Sequence, residues 1–553
     1  GATYGEIVHA KRHSIIIEPN VPVILGKKAE HPSLFAVYEG ITKEDVKAFL
    51  AGEEDGFRKI ITTPEGFDKK VLPAMYETHT PMYDDYFLLL DECEKTIQDV
   101  GYRGDIYLPV EDFFRFKNKA MVSATPILPS DPRFEEQNFE MVRIAPTYDY
   151  RRPLTLCVTN NTVRILRKLL VRLKDETVCI FINSTDTILG LIQTLKLEGR
   201  CKVFCADKSV RKLKQQNFTD VSDRLSELAG VNFFTSRFYS AVDIKLDYKP
   251  HVIVLTDVFH APYSMIDPQT EVVQAIGRFR NGIEQAYHIT NTCDRLQSVS
   301  RDKLFHNLEC QERIYNRIRE LPIEGEIEYQ TLTQALQGMD YKRFVTRTGN
   351  RNWFMWDNAY DDERIKRHYT DAELVREEYA KAFHTDCAEH IYPLSDCDRL
   401  QRINPRLKMK ELFREIVRQL EILEQNRTWN EYYFLREEIQ SQVPMMVDAY
   451  YALGAAEIER CNYNMNAIGK QIQENESQQL LTSEKVCGEV YDRLKTGDKL
   501  PVCAVNRFMN DLIMRFGIPY RKKVTAKMIG IYFEYRDVRT NKQRFIELGK
   551  RII

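Results

Sequence analysis

Short apolar runs alternate with amphipathic helical patterns through residues 1–290, and this alternation restricts the fold more than any other feature of the chain. Several runs are apolar at consecutive positions, as strands are when both faces of a parallel sheet are covered. Between them lie segments such as NNTVRILRKLLVRLKDE (160–176), which has the apolar spacing of a helix packed on a sheet. The apolar runs are SIIIEP (14–19), KIITTP (59–64), YFLLLDE (86–92), KAMVSATP (119–126), VCIFIN (178–183), CKVFC (201–205), VNFFTS (231–236), HVIVLTD (251–257) and AYHIT (286–290). A linker-like break at 145–154 divides them, so the pattern predicts two α/β domains side by side.

The pattern changes beyond about residue 300. Residues 409–425 and 430–443 have the pattern of amphipathic helices without a strand between them. An alternating stretch at 530–548 has the pattern of a hairpin with a turn at RTNK, and helical patterns precede it at 484–495, 503–516 and 523–530. Three helices followed by a hairpin favour a winged helix. The expected organisation is domain 1 at 1–150, domain 2 at 151–300, a helical accessory region at 301–480 and a winged-helix-like module at 481–553.

Composition excludes some classes of protein. The chain of 553 residues is too long for one compact core, and its 43% hydrophobic and 29% charged residues are typical of globular proteins. The net charge of −2 indicates no polyanionic partner for the chain as a whole, although only local patches face nucleic acid. No apolar run approaches the roughly 18 residues of a membrane span, no signal-peptide pattern is present, and the twelve cysteines include no CxxC pair. We therefore expect a reduced, cytoplasmic protein with neither a zinc site nor a membrane partner, in which Cys201 and Cys205 pack inside a strand.

Two adjacent carboxylates follow one of the apolar runs, in the string YFLLLDECEK (86–95). A buried strand ending in Asp91 and Glu92 places both side chains at the carboxyl edge of a parallel sheet, where ligands bind. One carboxylate there can hold Mg²⁺ through water, and the next can orient or deprotonate an attacking water. The alternative is a strand followed by a solvated acidic turn.

Three later strings carry polar residues at similar places. Arginine is suited to a γ-phosphate because its rigid fork binds phosphate bidentately and stabilises developing charge. The alternative for the arginines is a basic surface turn. The residues are Ser123 and Thr125 in MVSATP (121–126), Thr235 and Asp243 in FFTSRFYSAVDI (233–244), and Gln274, Arg278 and Arg280 in QAIGRFRNG (274–282).

In this order the strings resemble the superfamily 2 helicases and translocases, over about residues 1–290. DECE resembles the DExx box, SAT motif III, the stretch from Thr235 to Asp243 motif V, and QAIGRFR motif VI. IIIEPN (15–20) resembles motif Ia, TTPEG (62–66) motif Ib and FINSTDT (181–187) motif IV. Two positions depart from the family: Ala241 stands where motif V usually has glycine, and Asn281 stands where many members carry the second arginine of motif VI. The resemblance therefore supports Arg278 as the arginine finger more strongly than Arg280.

The resemblance implies two tandem RecA-like parallel-sheet domains with ATP and Mg²⁺ in the cleft between them. Asp91 would coordinate Mg²⁺, Glu92 would position water, and Ser123 and Thr125 would couple nucleotide state to domain closure. The second domain would contact the nucleotide through Asp243, Gln274, Arg278 and Arg280. The nucleic-acid backbone would be contacted by Asn20, Thr63, Ser184 and Thr235. A helix cap explains Ser184 or Thr63 about as well.

The phosphate loop is the missing part of this pattern. A P-loop needs GxxxxGK[ST], and no such string occurs in the chain. The family has it just ahead of motif Ia, where this chain has GAT. The resemblance then assigns the loop's last glycine to Gly1, the lysine position to Ala2 and the Mg²⁺-binding hydroxyl to Thr3, so that the chain as printed should hydrolyse ATP poorly. Whether such an alanine would be natural or engineered is left open, and the alternative is that residues 1–5 are a frayed terminus or a cloning remnant.

The C-terminal part adds a basic cluster. YRKKVTAK (520–527) concentrates charge in Arg521, Lys522 and Lys523, which favours phosphate binding, although a solvated basic face explains it equally well. The paired tryptophans of RNWFMWDN (351–358) are more typical of a core or an interface than of base stacking.

The sequence therefore predicts an ATP-dependent helicase or translocase that acts on single-stranded or forked DNA in a replication or mobile-element context, with RNA left open. The helical C-terminal region is a candidate surface for a protein partner. One alternative is a nucleotide-dependent binding or scaffold protein without turnover, which Ala2 and the missing upstream glycines favour. Another is a translocase that moves on duplex without separating the strands.

Overall fold

The structure is a computed structural model that describes residues 2–9, 11–52, 56–240, 242–259, 261–395, 408–428, 432–540 and 543–553. Gly1 and Ala241 lie outside these residues. The chain forms two compact units, Gly1–Tyr392 and Pro393–Ile553. The first unit contains two all-parallel sheets, which confirms the predicted α/β class.

The first sheet is built from residues 13–121. Its described strands are β1 (His13–Ile17), β2 (Phe35–Val37), β3 (Lys59–Thr62), β4 (Tyr86–Leu90) and β5 (Asn118–Met121). They pair in parallel in the order β2-β3-β1-β4-β5. Alternate residues enter different cores, Ile15 and Leu88 on one face and Ile16 and Leu89 on the other, which explains why these strands are apolar at consecutive positions. Ile17 pairs with Leu90, so β1 and β4 end level with each other at the carboxyl edge.

The second sheet is longer than the sequence predicts. Its described strands are β6 (Arg152–Thr159), β7 (Val178–Phe181), β8 (Cys201–Phe204), β9 (Val221–Ser222), β10 (Val231–Phe234), β11 (His251–Thr256), β12 (Ala286–Thr290) and β13 (Phe383–His390). They pair in parallel in the order β13-β6-β12-β11-β7-β10-β8-β9. Cys201 and Cys205 are buried in this sheet's core, as expected.

Helices cover both faces of the two sheets. The helices of the first unit are α1 (Ala2–Val8), α2 (Val21–Glu30), α3 (Lys43–Ala51), α4 (Pro64–Gly66), α5 (Leu72–Glu77), α6 (Met82–Asp85), α7 (Lys95–Gln98), α8 (Pro109–Phe113), α9 (Arg133–Glu136), α10 (Thr162–Arg172), α11 (Thr185–Leu195), α12 (Asp207–Gln215), α13 (Arg237–Ser240), α14 (Glu271–Gly277), α15 (Arg301–Arg319), α16 (Glu326–Gln337), α17 (Trp353–His368) and α18 (Ala372–Ala382). A π-helical turn spans Phe67–Val71, and 3₁₀ turns span Gly104–Tyr107, Pro262–Ser264 and Asp340–Phe344.

The predicted boundary at residue 300 does not separate compact units. Residues 301–392 belong to the first unit, and their side chains enter the cores of both sheets: Trp356 in the first and Tyr379 in the second. β13 also lies in the region that was expected to be helical only. Its sequence, FHTDCAEH, is polar because it is an edge strand with one mostly exposed face, so it lacks the apolar run that marks the other strands.

The second unit contains a helical core and a small antiparallel sheet. Its described helices are α19 (Met409–Gln425), α20 (Tyr432–Gln442), α21 (Pro444–Leu453), α22 (Ala455–Arg460), α23 (Met465–Leu481), α24 (Glu484–Arg493) and α25 (Val502–Arg515), followed by a 3₁₀ turn at Ala526–Ile531. The strands β14 (Lys499–Pro501), β15 (Phe533–Thr540) and β16 (Gln543–Arg551) pair in the order β14-β16-β15. The predicted hairpin is confirmed, and Tyr532 and Phe533 are fully buried beneath it. No helix in the described part of the chain is both long enough and apolar enough to cross a membrane.

Candidate functional site

Asp91 lies directly after β4 at the carboxyl edge of the first sheet. Its backbone N–H donates to the carbonyl of Ile17 at 2.9 Å, which continues the pairing of β4 with β1 by one residue. The hydroxyl of Thr3 donates to Asp91 Oδ2. Burial raises the pKa of Asp91, and the hydroxyl of Thr3 opposes that shift. Asp91 and Thr3, which were assigned to one metal, are therefore in contact.

α1 is fastened to the sheet at a second point. Glu6 is buried and accepts hydrogen bonds from the hydroxyl of Ser14 and from Arg12, and it forms an ion pair with Lys59 at 3.3 Å. These partners lie on or next to β1 and β3. These contacts of Glu6 fix α1 on the sheet, so that its first turn lies beside the carboxylates. In that turn Ala2 is exposed and Thr3 is half-buried.

Glu92 has an unusual backbone conformation. Its φ of 46° lies in the left-handed region, which non-glycine residues seldom occupy and which is associated with functional sites. Burial, Glu94 and Asp91 together raise the pKa of Glu92 to about 8. The alternative of a solvated acidic turn is therefore wrong, because both side chains are largely buried.

Gln274 connects the two sheets. It lies in α14, and its amide Nε2 donates to Glu94 Oε1 at 2.5 Å and to Thr125 Oγ1 at 2.9 Å, with Glu92 Oε2 at 3.4 Å. The hydroxyl of Ser123 in turn accepts from the backbone N–H of Thr125 at 2.9 Å. The residues predicted from three separate strings thus form one hydrogen-bonded group.

The two arginines have different surroundings. Arg278 is largely buried, with 11% of its side chain exposed, and its guanidinium lies 3.9 Å from Glu92 Oε1 and 3.6 Å from Asp243 Oδ1. Arg280 is 48% exposed and forms an ion pair with Asp243 at 2.8 Å. A basic surface turn describes Arg280 but not Arg278. A Cβ at Gly277 would meet no atom of the described chain within 4 Å.

Two carboxylates of the cluster were not assigned a role from the sequence. Glu94 is fully buried, and its Oε2 has no hydrogen-bond partner among the described residues. Glu18 follows β1 and is 1% exposed; burial and the nearby Asp91 and Glu92 raise its pKa well above the ordinary range. The same carboxyl-edge rule that selects Asp91 would have selected Glu18, which ends the run SIIIE.

The oxygen atoms at this edge fit Mg²⁺. One carboxylate and one hydroxyl, from Asp91 and Thr3, are already in contact, and Mg²⁺ is usually held by one or two carboxylates with water and substrate phosphates completing its shell. A buried cluster of carboxylates is also an environment in which a cation relieves repulsion. Within the described residues, no group of three or more His, Cys, Asp or Glu side chains is arranged to hold a metal.

Two of the predicted nucleic-acid contacts lie together. Ser184 and Thr235 line a cavity of about 250 Å³ at the carboxyl end of the second sheet, together with Arg237 and Tyr263. Ser184 is also the N-cap of α11, since its hydroxyl accepts from Thr187 N at 3.1 Å. Both interpretations of Ser184 are therefore compatible with its position.

The other two contacts lie on the first sheet. Thr63 caps α4, accepting from Gly66 N at 3.0 Å, so the cap interpretation accounts for its hydroxyl. Asn20 is the N-cap residue of α2 but makes no capping bond through its side chain, and its Nδ2 is buried without a hydrogen-bond partner in the described part of the chain. Neither residue lines the cavity that contains Ser184.

The predicted basic cluster lies in the second unit. Arg521, Lys522 and Lys523 are exposed in the loop before the 3₁₀ turn rather than at the start of a helix. Lys522 forms an ion pair with Glu474 at 3.0 Å. Arg521 and Lys522 also line a cavity of about 330 Å³ between α23 and this loop.

No protein-family model matches the chain, and no curated protein matches it. Among solved structures, the chain is similar to S. cerevisiae Dbp5 bound to RNA and ADP BeF3, at 12% identity and a TM-score of 0.33 over 66% of this chain and 82% of that one. It is similar to the DEAD-box helicase Mss116 bound to ssRNA and UDP-BeF, at 11% identity and a TM-score of 0.34 over 68% and 82%. It is also similar to the NS3-like helicase from Alongshan virus, at 14% identity and a TM-score of 0.32 over 68% and 95%. At these identities and scores the alignments carry no argument about function, which rests on the residues of the chain.

Proposed function

We propose that the chain is a superfamily 2 helicase-type motor that hydrolyses ATP between two RecA-like domains and acts on nucleic acid. The observation that carries this proposal is the side chain of Gln274, which joins Glu94 and Thr125 of one sheet domain to the α14 segment of the other. The strings that supply Glu92, Thr125 and Arg278 are far apart in sequence, yet these three side chains lie around this contact.

Asp91 and Thr3 are the residues that would hold Mg²⁺, which when bound neutralises charge on the phosphate oxygens. Glu92 is the carboxylate placed to orient the attacking water. Its Oε2 is held 3.4 Å from the Gln274 amide, and its left-handed backbone fixes the direction of the side chain. Precise placement of this kind is the main contribution that a protein makes to phosphoryl transfer.

Arg278 is the residue that would stabilise charge on the transferred phosphate. Its guanidinium comes from the second sheet domain and lies 3.9 Å from Glu92 of the first, and it is mostly shielded from water. A desolvated guanidinium contributes more to charge stabilisation than an exposed one. We therefore assign Arg278 as the arginine finger. Arg280 is assigned a structural role, as the ion-pair partner of Asp243.

Nucleic acid is the proposed partner, and we favour DNA. The cavity at Ser184 and Thr235 presents hydroxyls and the Arg237 guanidinium, groups that bind a phosphodiester without reading its bases. In the second unit, the order α24-β14-α25-3₁₀-β15-β16 supports the proposed winged-helix module, and the exposed cluster beginning at Arg521 precedes the 3₁₀ turn.

The decisive experiment measures ATP hydrolysis in the presence of single-stranded DNA, forked DNA or single-stranded RNA. The chain as printed is compared with a variant that combines Ala2→Lys with a glycine and four residues added ahead of Gly1, so that GxxxxGKT is complete. We expect stimulated, Mg²⁺-dependent turnover in the completed variant only. Absence of both turnover and nucleotide binding in the two proteins would contradict the proposal.

A second candidate is a non-hydrolysing, nucleotide-dependent scaffold, which Ala2 favours. Ala2 is exposed beside Asp91 and carries no charge that reaches a phosphate. The same experiment separates the candidates. Nucleotide binding that tightens nucleic-acid binding, with no turnover in the completed variant, would favour the scaffold.

A further inference from the structure

Helix α17 contacts both sheet domains of the first unit through a buried polar face. Asp357, Asn358 and Asp361 are 5%, 8% and 4% exposed, although each carries a charged or amide side chain. Buried polar groups are costly unless they are hydrogen-bonded, so their partners identify what this helix holds.

The first half of α17 binds the domain that carries Asp91. Asn358 Nδ2 donates to the carbonyl of Gln98 at 3.2 Å, and Asp357 accepts from the backbone N–H of Ser130 at 2.7 Å. Gln98 is the last residue of α7, the short helix that begins directly after Glu94. A Cβ at Gly101 would lie 2.7 Å from Asn358 Oδ1, so the helix approaches this turn closely.

The second half of α17 binds the domain that carries Gln274. The guanidinium of Arg364 donates to Asp267 and, at 2.7 Å, to Asp361. Asp267 is fully buried just ahead of α14, and its carboxylate accepts from the hydroxyl of Thr270 at 3.1 Å.

Thr270 closes a ring of hydrogen bonds. Its Oγ1 accepts from Gln98 Nε2 at 3.0 Å while donating to Asp267, so the path runs from Gln98 to Thr270, to Asp267, to Arg364 and back along α17 to Asn358. We call these five residues the brace ring. The carbonyl of Thr270 accepts from Gln274 N at 2.9 Å, so the brace ring is one helical turn from the residue that touches Glu94.

α14 has a core face and an open face. Val272, Ala275 and Ile276 are buried in the core of the second sheet, whereas the half-buried Val273 and Gly277 border a cavity of about 910 Å³. Apolar packing therefore supports α14 on one side only. The hydrogen bond from Gln98 to Thr270 joins its first turn to α7, in addition to the contacts that Gln274 makes with Glu94 further along the helix.

We propose that the brace ring positions α14, and with it Gln274 and Arg278, against Glu92. Thr270 and Gln98 are positioning residues in this assignment, because they act through α14 and do not touch the reacting groups. The assignment deepens the proposed ATPase function and rests on it for its consequence in turnover. α17 makes the arrangement of the two domains depend on a segment outside both sheets.

The test uses Thr270→Val, which keeps the shape of the side chain and removes the shared hydroxyl, and Thr270→Ser, which restores it. Thr370→Val is the matched control, since the hydroxyl of Thr370 bonds only within its own turn, to the carbonyl of Arg367, in the described contacts. Gln98→Met provides an independent break of the same bond. Replacement of Arg364 is avoided, because it would leave buried Asp267 and Asp361 without a cation and would threaten folding itself.

Hydrogen–deuterium exchange of the full chain is measured over residues 270–278, with turnover measured in the loop-completed background. Thr270→Val and Gln98→Met should accelerate exchange in α14 about tenfold or more and lower kcat roughly 10- to 100-fold, with KM for ATP unchanged, whereas Thr270→Ser and Thr370→Val should match the parent. Unchanged exchange of α14 in Thr270→Val and Gln98→Met would show that the brace ring does not fix this helix. Faster exchange of α14 with unchanged kcat would show that the brace ring does not position the catalytic groups. If the completed parent itself has no turnover, the proposed function fails, while exchange in α14 still decides whether the brace exists.

Discussion

The side-chain amide of Gln274 donates to the carboxylate of Glu94 at 2.5 Å, although 180 residues separate the two in sequence. Both side chains are buried, Glu94 completely and Gln274 to within 3% of its surface. A buried carboxylate that accepts from a neutral amide makes a strong local bond, and the same amide reaches Thr125. The bond therefore reports directly on whether the two sheet domains are closed on each other.

Replacing this amide by a carboxylate should open the contact. Gln274→Glu removes the donor and places a further acid against Glu94 and Glu92, which should cost about 1–3 kcal/mol of unfolding free energy and abolish turnover. Urea unfolding and ATP hydrolysis, the latter in the loop-completed protein, measure the two effects. Gln215→Glu, on the exposed face of α12, is the control and should change neither. Retained turnover in Gln274→Glu would remove this residue from the site.

Replacement of Arg278 and replacement of Arg280 should lower kcat by very different amounts. Arg278→Ala in the loop-completed protein should lower kcat by roughly 10³-fold or more while nucleic-acid binding persists. Arg280→Ala should lower kcat far less, because the Arg280 side chain is half exposed and its ion pair is with Asp243 rather than with Glu92. Equal losses in both variants, measured by single-turnover hydrolysis, would contradict the assignment of the finger to Arg278.

Ser184 allows the cap role to be tested apart from nucleic-acid contact. Ser184→Asp preserves an N-cap acceptor for Thr187 but places a negative charge in the cavity, so stability should hold while affinity for single-stranded nucleic acid falls. Ser184→Ala should instead lose about 1 kcal/mol of stability with the cap. Asn161→Asp makes the same kind of change at the N-cap of α10 and serves as the control. Normal binding by Ser184→Asp would leave this residue with a structural role only.

The basic loop of the second unit should contribute to binding through charge. Changing Arg521, Lys522 and Lys523 together to glutamine should weaken DNA binding and reduce the slope of log K against log salt by up to about three. Fluorescence anisotropy at several salt concentrations measures the slope. Lys174→Gln, an exposed lysine elsewhere, should leave it unchanged. An unaltered slope in the triple variant would assign the loop to protein contact or to solvent.

His288 should make the stability of the first unit depend on acid pH. It is fully buried, its Nε2 lies 3.0 Å from Thr256 Oγ1, and burial lowers its pKa to about 3. Because the folded chain resists a proton that the unfolded chain accepts near pH 6.5, stability is full above that pH and falls as the pH drops toward 3, by about 2 kcal/mol at pH 5. His288→Gln should remove this component, which unfolding in urea at pH 8 and pH 5 would detect. An identical pH dependence in the variant would show that the ring is not the source.

Sequence reasoning located nine of the thirteen described strands of the two parallel sheets, because most of these nine are covered on both faces and are therefore apolar at consecutive positions, and it missed β2, β6 and β9. It also located Asp91 and Glu92, since the edge of a sheet follows from where a strand ends. It missed Glu18, to which the same rule applies, and it missed β13, whose polar edge position leaves no apolar run. The bond between Gln98 and Thr270 had no sequence signal at all, because a single hydroxyl and a single amide become meaningful only when the fold brings them together.

The place of β13 has a consequence for how the chain is made. β12 ends at Thr290, but the strand that covers the outer edge of β6 begins at Phe383, after α15 to α18 have been synthesised. During translation the outer edge of β6 therefore stays unpaired until β13 has been synthesised. Unpaired strand edges of this kind can pair with strands of other chains. A fragment cut after residue 300 would keep that edge permanently open. A recombinant version intended to hold both sheets in solution should extend through Tyr392.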